Sequence, residues 1–326
     1  MRYLTNSSTD PWYNMAFDEY CLEQPVSDVP VFYLWQNRPS VIIGLNQNAF
    51  KEVNVPFLEE KGILLARRVT GGGAVYHDLQ NLNYTIVGRS EDLDRDYEGY
   101  VHYMLDALRG LGVDASMSGR NDILVGGRKV SGYAKRVWRD RLMIHGTLMY
   151  DVDVETLTRA LDTDSSKLHG KGIESVRSRV ANLKEYIPAV RDIRDLQGRL
   201  QDILSAGDEQ ITLSAGQLAD IRRLRDEKFA LWEWNWGHSP LSSVRLSAHL
   251  DCGSVESAFD VVGGEVRKLS FCGDFLGRLP SDELAARLEG CRYERSAVLS
   301  ALASTPAGEY FDGAGDEEFT RKLLGL

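Results

Sequence analysis

The chain has 326 residues, 43% hydrophobic and 26% charged, an ordinary globular composition that allows a sizeable core and excludes long disorder. Its net charge of −10 argues against a nucleic-acid partner, because phosphate backbones attract basic surfaces. No apolar run approaches the roughly 18 residues that span a bilayer, and the first residues lack the charged-then-apolar order of a signal peptide, so no membrane segment and a cytoplasmic location are expected.

Ser8-Thr9-Asp10-Pro11 reads as a helix start, with a capping side chain and a proline in the first turn. Met15, Ala16, Cys21 and Leu22 share one face of the helix that follows. Val31–Trp35 and Ser40–Gly44 are β-rich runs separated by the turn signal Asn37-Arg38-Pro39. Leu64–Val69 and Asn83–Val87 are further strand candidates that flank a glycine-rich segment. Val101, Met104, Leu105, Leu108 and Leu111 recur at helical spacing, and Gly112 closes that helix. Asp122–Val125 and Arg128–Ser131 form a predicted hairpin through Gly126-Gly127, a pair suited to a type I′ turn, with Arg141–Tyr150 as a longer strand beside it.

The pattern turns helical and charged from about Asp192 to Glu227, and Trp232, Trp234 and Trp236 then alternate ahead of the break at Ser239-Pro240. Those tryptophans are expected to pack between domains. A strand pair, Ser254–Val262 and Glu265–Phe271, followed by two or three helices reads as a small domain. Short hairpin-linked strands with interspersed helices predict an α+β architecture, a mixed or antiparallel sheet flanked by helices. The expected domains are residues 1–243 and 244–326.

Arg67-Arg68-Val69-Thr70-Gly71-Gly72-Gly73-Ala74-Val75-Tyr76-His77-Asp78 is the most informative stretch. Three glycines between strands weaken a sheet, and bare glycine backbone lets consecutive N–H groups converge on an anion. Adjacent arginines add bidentate donors for phosphate or carboxylate. The stretch is neither a Walker A loop nor a GxGxxG fingerprint. Lys129 follows the tight turn, and strand alternation puts it on one face with Ser131, opposite Val130, as a fixed cation for developing negative charge. Asn121 and Asp122 are candidate Mg²⁺ ligands, or equally a local turn. His145-Gly146 lies in an apolar strand: the glycine permits close approach of a ligand, and the histidine is either a pocket wall or a core residue. Arg136, Arg139 and Arg141 form a candidate basic patch. The histidines contain no HExxH pair and no GxSxG elbow exists, so neither a catalytic zinc nor a serine nucleophile is expected. Four cysteines without CxxC spacing read as ordinary thiols.

Taken in order, these segments resemble the lipoate–protein ligases. The resemblance rests on Asp10-Pro11-Trp12-Tyr13-Asn14, Leu34-Trp35-Gln36-Asn37, the Arg67–Asp78 stretch, Gly119-Arg120-Asn121-Asp122 and Arg128-Lys129-Val130-Ser131-Gly132. It continues through His145-Gly146-Thr147-Leu148, Lys171-Gly172-Ile173-Glu174-Ser175-Val176-Arg177-Ser178-Arg179-Val180 and Trp232-Glu233-Trp234-Asn235, covering nearly the whole chain.

The resemblance implies a catalytic domain of the biotin-ligase and class II aminoacyl-tRNA-synthetase kind, with a small C-terminal α+β accessory domain. It implies Mg²⁺-dependent use of ATP to convert lipoate to lipoyl-AMP, then transfer to a lysine of acceptor proteins (2-oxoacid dehydrogenase E2 subunits and the glycine cleavage H protein), by a monomer. Arg68 and Gly73, Ala74, Val75 and Tyr76 would contact the nucleotide. Lys129 would be catalytic and touch both phosphate and lipoyl carbonyl. Trp35, Arg68, Gly72, Lys129 and His145 would surround lipoate, with Trp35 near the dithiolane ring. The stretch around Lys167–Arg179 would close over the adenylate, and Asp18 stands where the family pattern often carries glutamate. An octanoyl transferase working without ATP needs a pocket cysteine, for which Cys21 is the one candidate before residue 244. A biotin ligase would need a GRGRxG-type loop, which is missing, and a non-catalytic module of this fold has no need of the Lys129 and Arg68 motifs.

Overall fold

A computed structural model describes every residue except Asp92, 119–120, 162–177, 206–208, 240–241 and Leu276. The chain forms two compact units, Met1–Leu45 with Gly62–Leu231, and Asn46–Lys61 with Trp232–Leu326.

The first unit is built on an eight-stranded sheet. Its strands are β1 (Arg2–Leu4), β2 (Val31–Trp35), β6 (Asn81–Arg89), β7 (Ala115–Ser118), β8 (Asp122–Val125), β9 (Arg128–Trp138), β10 (Arg141–Met149) and β11 (Gln210–Ile211), in the order β11-β1-β2-β6-β10-β9-β8-β7. The β11-β1-β2 pairs are parallel and the remainder antiparallel, so the sheet is mixed. A smaller sheet carries β4 (Leu64–Arg67), β3 (Ser40–Ile43) and β5 (Val75–His77), with β3 parallel to β4 and antiparallel to β5. The glycine stretch therefore connects the two edge strands of the small sheet.

Strand alternation divides the large sheet into two faces. Phe32 and Leu34 of β2, Tyr84 and Ile86 of β6, and Leu142 and Ile144 of β10 join a core with helices Leu93–Gly110 and Ile193–Leu204, through Val101, Leu105, Leu196 and Leu200. The odd-numbered residues of the same strands face the other way. Pairing aligns them in rows: Tyr33, Thr85 and His145 across one level, and Trp35, Asn83 and Thr147 across the next. Helix Pro11–Glu23 covers that face, with Met15, Phe17, Asp18 and Cys21 buried. Asp10 caps this helix by accepting from Trp12 N, and Pro11 opens it, as the sequence pattern predicts. Its far end is closed by Arg141, whose guanidinium donates to the carbonyls of Cys21 and Leu22 at 3.0 and 2.7 Å. Arg141 is thus buried in a structural role and is not part of a basic surface patch.

Gly126 and Gly127 have φ of 55° and 76°, the left-handed pair that a type I′ hairpin demands. Beyond the turn the expected alternation breaks. Pairing passes from Leu124↔Lys129 to Ile123↔Ser131, leaving Val130 as the extra residue of a β-bulge. Val130 joins the core, while Lys129, Gly132 and Ala134 line a cavity on the opposite face. Ser131 is buried away from that cavity's lining, so Lys129 and Ser131 do not share a face as alternation alone predicts.

The second unit holds an antiparallel meander of β12 (Ser242–Leu250), β13 (Gly253–Val262) and β14 (Glu265–Gly273), followed by helices Ser281–Leu288, Arg295–Leu302 and Asp316–Leu323. It has one strand more than the expected pair. Its first members lie earlier in sequence than the 243/244 division. Phe50 packs on Trp236 and Tyr293, with ring centroids 5.2 and 4.5 Å apart, and Arg292 lies over Trp232. Burying these rings draws residues 46–61 and 232–239 into the second unit, so Trp232 and Trp236 pack inside it. No helix among the described residues is long and apolar enough to cross a membrane.

At Gly146 an added Cβ would sit 2.5 Å from the Tyr84 ring, so the glycine makes room for a neighbouring side chain. Gly146→Ala is expected to destabilise the protein by about 1–3 kcal/mol through overpacking. Urea unfolding of the full chain measures this, and an unchanged midpoint would refute it.

Candidate functional site

A cavity on the helix-covered face collects most of the residues singled out in the sequence. Trp35, Arg68, Gly72, Gly73, Ala74, Val75, Asn121, Lys129 and His145 line it, joined by Met15, Ile42, His77, Asn83, Gly132 and Thr147. Tyr76 is buried just outside that lining, and Asp122 reaches the site through its contact with Lys129. Gly119 and Arg120 fall outside the described residues, as does the expected covering segment up to residue 177.

The centre of the site is a hydrogen-bond chain that the sequence pattern does not reveal. Asp18, 1% exposed, accepts from Tyr33 Oη at 2.6 Å and Thr85 Oγ1 at 2.9 Å through Oδ1, and meets His145 Nδ1 at 2.7 Å through Oδ2. Thr85 Oγ1 in turn accepts from Trp35 Nε1 at 3.0 Å. On the far side of the imidazole, His145 Nε2 lies 2.7 Å from Thr70 Oγ1, which accepts from Arg68 Nε at 3.0 Å. Every donor finds an acceptor when the ring proton sits on Nδ1: the carboxylate takes it, and Nε2 receives the threonine hydroxyl. His145 is therefore neither an isolated core histidine nor a free pocket group, but the link between Asp18 and the glycine stretch.

Arg68 does the remaining work on that stretch. Its Nη2 donates to the carbonyls of Gly71 and Gly73 at 2.7 and 2.8 Å, and its Nη1 to Ile42 O at 3.0 Å. Burial lowers its pKa to about 10, so the cation persists at neutral pH. Arg67 is fully buried and donates to Gly44 O and Leu45 O at 3.2 and 3.0 Å. Both arginines thus hold backbone, whereas the sequence suggested donors aimed at an anion. Of the three glycines only Gly72 has a left-handed φ, 95°, and a Cβ there would meet Arg68 Nη2 at 2.9 Å. Arg136 Nη1 secures the entry to the loop by donating to Val69 O at 2.6 Å.

Lys129 is fixed from three sides. Its Nζ pairs with Asp122 Oδ1 at 2.7 Å. Its backbone N donates to Arg179 O at 2.8 Å, and its carbonyl accepts from Ala181 N at 2.9 Å. Its side chain lies across Gly132, where a Cβ would stand 2.9 Å from Nζ. The bulge aims the residue, and the missing side chain at 132 gives it a bed. Asn121 donates to Tyr133 O at 2.9 Å.

Cys21 is fully buried in the helix, and burial together with nearby Asp18 pushes its thiol pKa up, so it is a poor nucleophile. His77 has its Nδ1 3.0 Å from Asn37 Nδ2, and its pKa falls from 6.5 to about 3 through burial, Arg68 and His145.

The family model described as lipoyl protein ligase A/B catalytic domain matches residues 10–205, and that described as bacterial lipoate protein ligase C-terminus matches 239–323. The chain is 35% identical to lipoate-protein ligase LplJ of Bacillus subtilis over 98% of each chain. A structure of a bipartite lipoate protein ligase and its E2 lipoyl domain from Thermoplasma acidophilum matches with a TM-score of 0.67 at 29% identity, over 73% of this chain and 97% of that one. A lipoate-protein ligase A bound with ATP matches at 0.65 and 28%, over 73% and 98%.

Asp18→Asn keeps one oxygen but turns an amide donor onto His145 Nδ1–H, and should cost about 1–3 kcal/mol in urea unfolding. ¹⁵N spectra of the histidine rings should show His145 losing its single tautomer; an unchanged tautomer would remove Asp18 from this role. A second expectation concerns acid. The unfolded His77 ring protonates near 6.5 and the folded ring only near 3, so the unfolded state binds the extra proton and stability falls as pH drops through that window. The slope from this group approaches about 1.4 kcal/mol per pH unit. Unfolding measured from pH 6.5 to 4.5 should be steeper for the natural chain than for His77→Gln, and parallel curves would contradict the buried neutral ring.

Proposed function

The chain belongs to the lipoyl protein ligase A/B family, and we propose that it is an ATP-dependent lipoate–protein ligase. It condenses lipoate with ATP to lipoyl-AMP and pyrophosphate, then passes the lipoyl group to the ε-amine of a lysine on a lipoyl domain, releasing AMP. The observation that carries this reading is one cavity lined by both the glycine stretch with Lys129 and an apolar wall of Met15, Trp35 and Ile42. A cation at one side and an apolar wall at the other suit an amphipathic acid, carboxylate to Lys129 and tail to Trp35.

In the first step a carboxylate oxygen attacks the α-phosphorus and the bond to pyrophosphate breaks. Negative charge grows on the phosphoryl oxygens, and Lys129 Nζ, turning from Asp122 to those oxygens, offsets it. Its clamped backbone confines that movement to the side chain. We assign Gly73, Ala74, Val75 and Tyr76 to the nucleotide, and Arg68 to holding their loop through the Gly71 and Gly73 carbonyls. Trp35, His145 and Gly72 flank the acyl chain in this reading. In the second step the acceptor amine attacks the acyl carbonyl and AMP departs. An apolar surround slows the competing attack by water.

Asp122 and Asn121 supply one carboxylate and one amide oxygen, a donor set suited to Mg²⁺ that arrives on ATP phosphates and keeps waters. Bound there, the ion would screen phosphate charge. The described residues contain no cluster of three acidic, histidine or cysteine side chains able to hold a metal alone. The buried, poorly ionised Cys21 disfavours the alternative of an ATP-independent octanoyl transferase working through a thioester. Acceptors are inferred to be lipoyl domains of 2-oxoacid dehydrogenase E2 subunits and the glycine cleavage H protein. We further infer that the first unit is catalytic, the second accessory, and the protein a cytoplasmic monomer.

Incubation with ATP and lipoate should release pyrophosphate and yield lipoyl-AMP by mass; no adenylate would sink the reading. Lys129→Ala should lower adenylation by about 100-fold or more, as loss of a transition-state charge partner does. Near-normal adenylation by that variant would remove Lys129 from its assigned place.

A further inference from the structure

Lys129 is held by a segment distant in sequence. It forms a parallel bridge with Val180, in which Lys129 N donates to Arg179 O at 2.8 Å and Ala181 N to Lys129 O at 2.9 Å. The residues just beyond 181 decide where that segment lies. Leu183 and Ile187 are buried in the core of the large sheet, but apolar burial is non-directional and sets no register. Asn182 supplies the direction. Its Oδ1 accepts from Val152 N and its Nδ2 donates to Val152 O, both at 3.0 Å, so the amide stands in for a missing strand neighbour. Lys184 N adds a bond to Tyr150 O at 3.0 Å.

The same segment also holds the hairpin turn that precedes Lys129. Arg128 Nη2 donates to Glu185 Oε2 at 2.7 Å and to Tyr186 Oη at 2.8 Å. That hydroxyl closes over the turn, since a Cβ at Gly126 would stand 3.3 Å from it. The Arg128 and Glu185 side chains are 35% and 49% exposed, and an ion pair so open to water adds little stability. Its consequence is geometric. Residue 128 is tied to 185 and 186, and residue 129 to 179 and 181, so β9 enters the cavity from a fixed point.

Resting on the ligase reading above, we infer that Asn182 and Tyr186 are positioning residues of the adenylation step, acting through the backbone at 128–129 to place Lys129. The lysine ammonium rides on a flexible four-carbon stem, so the fold controls Nζ through the place of its Cα. Asp122 holds Nζ at rest, and the proposed step moves Nζ off Asp122 to the phosphoryl oxygens. At that moment the backbone clamp is what remains of its placement. A misplacement of about 1 Å in a reacting group costs on the order of 100-fold in rate, so residues remote from the chemistry govern it. Both side chains lie outside the cavity lining and leave the ground-state contacts of the substrate alone.

The test measures pyrophosphate release from ATP and lipoate by the full chain at equal concentrations of folded protein, alongside amide hydrogen exchange of the same variants. Asn182→Ala should lower kcat by about tenfold or more and leave the KM for lipoate within about twofold. The amides of Lys129 and Ala181 should exchange faster, and those of β6 at the natural rate. Tyr186→Phe, which loses only the hydroxyl, should lower kcat by about threefold or more with the same constant KM. Unchanged exchange at Lys129 in Asn182→Ala overturns the proposal. So does faster exchange there with kcat kept within about twofold, because the clamp would then not govern the chemistry. A lipoate KM that rises in step with the fall in kcat, or faster exchange throughout the chain, shows a binding or general structural role and overturns it too. Should Asn182→Ala not fold, Tyr186→Phe decides by the same criteria. A natural chain that makes no adenylate fails the ligase reading itself, a failure distinct from a loss confined to the variants.

Discussion

A buried carboxylate organises the first unit. Asp18 leaves water almost completely, and an ionised carboxylate does so only when its lone pairs are met. Tyr33, Thr85 and His145 meet them, one residue from each of three neighbouring strands and all on the same row of the sheet. The helix that carries Asp18 is thereby fixed against β2, β6 and β10 in one register. The same bonds reach further, to Trp35 through Thr85 and to Arg68 through His145 and Thr70. An aromatic wall and a glycine loop, distant in sequence, are parts of one network.

The glycine stretch takes its shape from this arrangement. Glycine-rich backbone is permissive and by itself adopts many conformations. Here Arg68 fills the space beside Gly72 and gathers the carbonyls on either side of it, while Arg136 and Arg67 hold the approaches. A guanidinium with its donors on backbone carbonyls is a structural clamp, and its burial beside the cavity also brings fixed positive charge to a site that handles anions. In the proposed reading the charge offered to the substrate is instead Lys129, held by a bulge, a glycine bed at 132 and backbone hydrogen bonds to residues 179 and 181. Preorganisation of this kind places a cation before charge develops, which is what acyl adenylation requires.

Much of this was legible in the sequence. The capping of the first helix by Asp10, the type I′ hairpin at Gly126-Gly127, the strands around the glycine stretch and the shared cavity lining of Trp35, Arg68, Gly72–Val75, Lys129 and His145 follow from local residue chemistry and from an ordered set of motifs. Local chemistry suffices there because turn geometry and caps are set by residues close in the chain. The family follows too, since its motifs recur in order along nearly the whole length.

Tertiary structure alone decided the rest, because it rests on contacts between segments far apart in sequence. Asp18 lies 127 positions from His145, and no periodicity links them. The bulge at Val130, which separates Lys129 from Ser131, depends on pairing with β8 and not on the composition of β9. Residues 46–61 join the second unit because Phe50 finds Trp236 and Tyr293 there. That His77 Nε2 and Asn83 Nδ2 have no partner among the described residues follows from where acceptors distant in sequence come to lie. Sequence determined which groups could carry the chemistry; packing across the sheet determined which of them hold the scaffold and which face the cavity, because burial forces each polar atom to find its partner in space.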